Sequence, residues 1–329
     1  MTALPNCAQL LSLETNVSAL DVEWTDIKRI DSLILESKTL GTQVEEIGIS
    51  GEGRPLYGVT VGDRTAARTI GIIAGCHAGE IIGPLAAIST IQHLANQPIP
   101  GIKFKIVPTV DPDFLHKNAK ALPANPTLQD LLGKGAQQTR DLEGHFTTDT
   151  YPECVAVRRW LQQLDRVDAY FSLHSSGLIA PGLFFYIGSG ANPGCAADVV
   201  RRVAAAVPDY IPLLPYDPTG VASAFLSPGF FEIPVSDAKE LNLVKPSNSL
   251  SFVAQHFQPQ FIGVSEMPLA ICSALDNAPL SRIDRCNCEF RQTGRIDHSF
   301  IEVDLHTQLS IMRTFIGSVA QFVALRKES

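Results

Sequence analysis

The chain has 329 residues, 45% hydrophobic and 18% charged, an ordinary globular composition long enough for one large domain or two small ones. A formal net charge of −8 argues against a protein that coats nucleic acid or an anionic membrane, because both need clustered Lys and Arg. Seven scattered cysteines, odd in number, suit free thiols in a reducing compartment, and no apolar run reads as long enough for a membrane span.

The opening MTALPNCAQLLSLETNV has no basic stretch followed by an apolar one, so no signal peptide is expected and the cytoplasm is the expected location. From Val22 to Lys38, Ile27, Ile30, Leu33 and Ile34 fall at helical spacing. Strands are predicted at 69–75 (TIGIIAG), 103–110 (KFKIVPTV), 168–176 (DAYFSLHSS), 183–189 (LFFYIGS) and 261–267 (FIGVSEM). Several are apolar throughout, as strands covered on both faces are. Helices are predicted at 81–96, at 150–164 behind a Thr150/Glu153 capping box, and at 306–325, where Leu309, Met312, Ile316, Val319 and Phe322 form one stripe. With no repeat and no flexible linker, the expectation is one domain over 1–329, with residues 1–43 as a helical segment packed on it. The alternation of elements predicts an α/β three-layer sandwich, a mixed, largely parallel twisted sheet with helices on both faces.

Ligand sites in such sheets lie beyond the carboxyl ends of the strands. His77 and Glu80 follow the first central strand, His174, Ser175 and Ser176 end the next, and Glu266 ends a third. Two histidines and one carboxylate are a common zinc set for hydrolysis, leaving a position open for water. Glu266 then remains to act as base towards that water. A single H-x-x-E is a weak signal alone; three strand exits carrying compatible groups make a stronger one. Cys76 reads as a core thiol, His116, His145 and His256 as solvated or pocket-flanking histidines, Arg54 as the brace of a turn, and Arg158–Arg159 as a solvated helix face. Cys286 and Cys288 form a C-x-C pair with no second pair nearby.

These residues resemble the zinc carboxypeptidase family of carboxypeptidase A-like metallopeptidases, over most of the chain from about residue 44. EEIGISGEGRPLYGVTVG (45–62) resembles the family's opening signature. HAGE (77–80) resembles its first metal motif, and VDPDF (110–114) its N-P-D-G loop with Asp111 in place of Asn. DLEGHF (141–146) stands where the family has D-L-N-R-N-F, SLHSS (172–176) resembles the strand of the third ligand, and GVSEMP (263–268) that of the catalytic glutamate. The resemblance implies one zinc per chain on His77, Glu80 and His174, with Glu266 catalytic. It leaves Lys117 or Arg140 as the cation facing the oxyanion.

The departures are informative. Glu143 and Gly144 replace the Asn-Arg that grips a substrate carboxylate, Gly79 replaces a frequent Arg, and the tyrosine many members carry has no counterpart in 245–257. Glu143, Gly144, His145 and Ser175 are accordingly expected to touch substrate, with no arginine supplied by the D-L-E-G loop. The leading expectation is hydrolysis of an amide bond in a small peptide-like substrate. The alternatives are an N-acyl amino acid deacylase resembling the aspartoacylase and succinylglutamate desuccinylase group, and a non-catalytic binding module on the same fold.

Overall fold

The computed structural model describes residues 22–175, 179–235 and 248–325; the opening segment, Ser176 and residues 245–247 lie outside them. Two short 3-10 turns, Trp24–Arg29 and Ser37–Leu40, flank α1 (Ile30–Glu36). There follow β1 (Gln43–Ile49), β2 (Pro55–Gly62), β3 (Arg68–Ala74), α2 (Ile82–Asn96), β4 (Ile102–Val107), α3 (Pro112–Ala121), α4 (Leu128–Leu132) and α5 (Pro152–Leu161). After these come β5 (Ala169–His174), β6 (Ile179–Ala180), β7 (Phe184–Gly188), α6 (Pro193–Ala206), β8 (Ala224–Ser227) and β9 (Phe230–Ile233). The chain ends with α7 (Ser249–Phe257), β10 (Phe261–Glu266), β11 (Ala270–Ile271), α8 (Leu280–Thr293), β12 (Ile301–Glu302) and α9 (Leu305–Leu325).

The main sheet has the order β1-β2-β4-β3-β5-β10-β7-β9-β8. Its centre, β4-β3-β5-β10, is parallel, while β2 and β7 run antiparallel to that block on either side. Side chains alternate across these strands. Ile70, Ile72, Phe171, Leu173 and Phe261 pack on one face with α2, α6 and α9; Ile73, Tyr170, Tyr186, Ile262 and Val264 pack on the other with α5 and α7. The sheet is thus covered on both faces, which is why its central strands carry no polar period. Ile27, Ile30, Leu33 and Ile34 join the first of these cores, so the helical segment before β1 is an integral part of it.

The strands and long helices fall within three residues of their predicted positions; the predicted ranges 103–110 and 150–164 each run three residues past the observed ends at Val107 and Leu161. The capping box does not form. Tyr151, not Thr150, precedes α5 without a side-chain cap, because Glu153 is fully buried and accepts hydrogen bonds from Arg140 Nη2 (2.8 Å) and the Gly51 amide (3.0 Å). Arg158 likewise departs from a solvated face: its guanidinium donates to the carbonyls of Phe146 (2.5 Å) and Thr148 (2.7 Å). By length and composition α9 could cross a membrane, contrary to the reading from apolar runs; in the fold, its Leu309, Met312, Ile316 and Val319 lie in the core.

β3 pairs with β4 on one side and with β5 on the other, so the chain diverges between β3 and β5. This is where a doubly covered sheet opens a crevice at the carboxyl ends of its strands. Gly75, at φ +71°, turns the chain out of β3 into the segment that carries His77.

Candidate active site

His77 and Glu80 lie on the turn after β3, closed by the Glu80 amide donating to the His77 carbonyl (3.0 Å). His174 is the last residue of β5. The Glu80 carboxylate lies between the two imidazoles: Oε1 is 3.1 Å from His77 Nδ1, and Oε2 is 2.9 Å from His174 Nδ1. One donor atom from each of the three side chains falls within 4.8 Å of the others. Two imidazole nitrogens and a carboxylate oxygen so close together fit a zinc ion with a position left for water.

Both rings are tethered from behind. His77 Nε2 lies 3.2 Å from Asp141 Oδ1. His174 Nε2 lies 2.8 Å from Ser172 Oγ and 3.8 Å from Glu143 Oε2. This back-side support fixes the ring orientation and the tautomer of histidines that ligate metal. The electrostatics match the geometry. Burial alone would push the His77 imidazole down, yet Glu80 and the hydrogen bond to Asp141 overcome it and raise the pKa to about 10. Burial likewise opposes ionisation of Glu80, but the His77 and His174 charges hold it at about 2. His174 is raised well above its ordinary value by Glu80 and Glu143 against the same burial cost. The residues therefore form an alternating array of partly buried charges that a cation can enter only by displacing protons from the rings.

Glu266 ends β10, directly opposite His174 in the parallel register, so the two side chains leave the sheet on one face. It is half-buried, and its charge acts on the Tyr186 hydroxyl, which hydrogen-bonds Asp217 (2.7 Å). Ser175 lines the cleft, but its amide donates to Glu80 Oε2 (3.1 Å) and its hydroxyl to the Met267 carbonyl, so it braces a candidate ligand.

Other expectations require correction. Glu143 does not stand on the cleft wall. Its side chain is only 14% exposed and turns inward, accepting from the Ser249 amide (2.8 Å) and hydroxyl (2.5 Å) at the start of α7. Burial opposes its charge, but His174 and Ser249 hold its pKa at about 2. Glu143 is thus built into the support of His174. Gly144 is not part of the cleft lining either: its amide donates to Asp141 Oδ1 (2.6 Å), and a Cβ there would collide with the Asp141 carboxylate that holds His77. His145 is turned towards Tyr151, its ring 5.4 Å away edge-on. We expect Gly144→Arg to weaken zinc binding by about tenfold or more, the usual scale for a disturbed ligand support, without creating a clamp. Competition against a chromogenic chelator measures this; unchanged zinc affinity would mean that Asp141 does not need the space.

Neither expected cation reaches the cleft. Arg140 is locked among Asp111 (2.8 and 2.9 Å), Glu153 (2.8 Å) and Asp113 (3.7 Å), with its guanidinium over Phe114 and Tyr151. Three buried carboxylates need that charge where it is. Lys117 pairs with Glu52 and lies over the Phe114 ring.

The cleft, about 370 Å³, is lined instead by an element whose sequence pattern carries no strand-exit signal. Asp284, Asn287, Cys288 and Arg291 of α8 face His77, Gly79, Glu80, Ala136, Thr139 and Ser175 across it. Their spacing of three, four and seven residues marks one helix face. Cys286 points into the core while Cys288 is exposed, and all six described cysteines are free thiols.

The sequence model described as zinc carboxypeptidase matches residues 34–117. Among solved structures, a metallo-carboxypeptidase from Burkholderia cenocepacia superimposes with a TM-score of 0.57 at 15% identity, covering 90% of this chain and 68% of that one. Bovine thrombin-activatable fibrinolysis inhibitor, solved with a tick carboxypeptidase inhibitor, gives 0.54 at 15% identity, covering 90% of this chain and 96% of that one. At such identities the likeness establishes the fold. The chain therefore has a zinc carboxypeptidase-like fold, and over residues 34–117 its sequence is similar to the zinc carboxypeptidase family.

Proposed function

We propose that the protein is a zinc-dependent hydrolase that cleaves an amide bond in a small peptide-like substrate, with one metal ion per chain, working in a reducing compartment such as the cytoplasm. The observation that carries this reading is the paired orientation of the histidines. Each presents Nδ1 to Glu80 while Nε2 is held from behind, by Asp141 for His77 and by Ser172 and Glu143 for His174. Free thiols support the choice of compartment.

His77, Glu80 and His174 would hold the zinc, which when bound supplies Lewis acidity towards water and the scissile carbonyl. Glu266, beside His174 on the same sheet face, takes the proton from the attacking water and delivers it to the leaving amine. Ser175 and Asp141 keep Glu80 and His77 in place while the proton moves. The positive charge for an anionic part of the substrate comes from Arg291 on α8.

A panel of peptides with free and amidated C-termini, together with N-acyl amino acids, assayed with and without chelator, tests the reading. Metal-dependent release of an amine is expected; no turnover of any member by zinc-loaded protein would contradict it. For a substrate with a free carboxylate, Arg291→Ala is expected to raise KM about ten- to hundred-fold, the range for a lost charge-assisted hydrogen bond, with a smaller change in kcat. Equal effects on free and amidated substrates would remove Arg291 from carboxylate recognition.

A further inference from the structure

We infer that the helical layer carries a second binding site, for a small organic carboxylate, in a cavity between α2, α6 and α9. His93 lies on α2, eleven residues beyond Ile82, which places it roughly 16 Å along the helix from the turn carrying the candidate zinc ligands. The cavity, about 40 Å³, is lined by His93, Leu94, Phe104, Arg313, Ile316 and Gly317 among others. That is space for a few water molecules or a small ligand.

Three independent features point to an occupant. The first is Arg313, a partly buried guanidinium whose Nη1 donates to Ser89 Oγ (2.8 Å) and which has no carboxylate within ion-pair distance among the described residues. Burial with no compensating anion pushes its pKa below the usual value. The other arginine on the cavity, Arg202, is already neutralised by Asp198 (2.7 Å) and bonded to Gln321 (2.9 Å). The second is His93, 7% exposed, whose Nε2 has no hydrogen-bond partner among the described residues. Burial and the Arg313 charge both favour its neutral form, so Nε2 can donate to an anion without adding charge. The third is Gly317, in the interior of α9, where glycine is disfavoured relative to alanine. A Cβ built there meets nothing within 4 Å, so the missing side chain leaves open space at the cavity wall.

The chemistry selects a singly charged ligand with a short hydrocarbon part. One uncompensated guanidinium balances one negative charge, whereas a doubly charged phosphate would bring one too many into a half-buried site. The Thr90, Thr314 and Ser318 hydroxyls that line the cavity donate to helix carbonyls, leaving donors to the headgroup chiefly on Arg313 and His93. Leu94, Ile99, Phe104 and Ile316, all almost fully buried, provide an apolar wall for two or three carbons.

The test is a titration of the zinc-loaded full chain with sodium butyrate at constant ionic strength, following the His93 ring signals by NMR, assigned with His93→Gln. Inorganic phosphate and chloride are parallel arms. The expected result is a saturable shift with butyrate, at least tenfold weaker in Arg313→Gln and in Gly317→Leu. Gly317→Leu should fold, because leucine is the better helix former and its Cβ has room. A shift that fails to saturate, or that persists unchanged in both variants, would overturn the site. Phosphate binding as tightly as butyrate would overturn the carboxylate assignment.

Discussion

Replacing Glu266 by glutamine is expected to cut turnover by at least about two orders of magnitude, the usual scale for a lost general base, while leaving the fold and the bound zinc in place. Glutamine keeps the shape and most hydrogen bonds of the side chain but cannot accept the proton. The register that sets Glu266 beside His174 belongs to the β5–β10 pairing, which the substitution does not touch. Steady-state kinetics with metal analysis of the same sample separates the outcomes. Near-normal turnover would assign the base to another residue. Loss of zinc together with activity would make Glu266 a ligand.

The second large effect concerns His174. His174→Ala is expected to abolish stoichiometric zinc binding and with it all measurable hydrolysis. It should also destabilise the metal-free protein by about 3–5 kcal/mol, because it removes the positive partner of two largely buried carboxylates, Glu80 and Glu143. Chemical denaturation of metal-free parent and variant checks the last point; equal stabilities would show that the carboxylates are compensated elsewhere.

The same charges set a pH dependence. The raised His77 and His174 contribute stability that is complete below the unfolded histidine value and disappears as pH rises through their folded values, about 10 for His77. Glu80 and Glu143, lowered to about 2, contribute stability present above the unfolded carboxylate value and lost as pH falls towards 2. The metal-free protein should therefore be most stable in mildly acidic solution. Zinc needs the neutral rings, so the stabilisation it confers should grow from pH 6 to pH 9. A zinc-induced change in Tm that stays flat over that range would contradict the array described.

The parts of the site that could be read in the sequence are those fixed by a strand exit. Runs such as TIGIIAG and DAYFSL declare buried strands, and the polar residue that ends each must stand on the rim. His77, Glu80 and His174 converge for that reason. What could not be read depends on partners far along the chain. Glu143 turns inward because Ser249, more than a hundred residues later, offers an amide and a hydroxyl from the start of α7. Glu153 leaves its capping role because Arg140 and the Gly51 amide claim its carboxylate, and that claim also removes Arg140 from the cleft. Arg291 was invisible because an amphipathic surface helix looks the same whether its polar face meets bulk water or a cleft.

The central claim is the metal centre, and titration of metal-free protein with zinc, followed by X-ray absorption at the zinc edge, tests it most directly. One ion per chain is expected, with a first coordination sphere of nitrogen and oxygen at about 2.0–2.2 Å and no sulfur. In the triple substitution of His77, Glu80 and His174 by alanine, that binding should vanish. Zinc retained by the triple variant, or a sulfur ligand at about 2.3 Å, would place the metal elsewhere and contradict the site described.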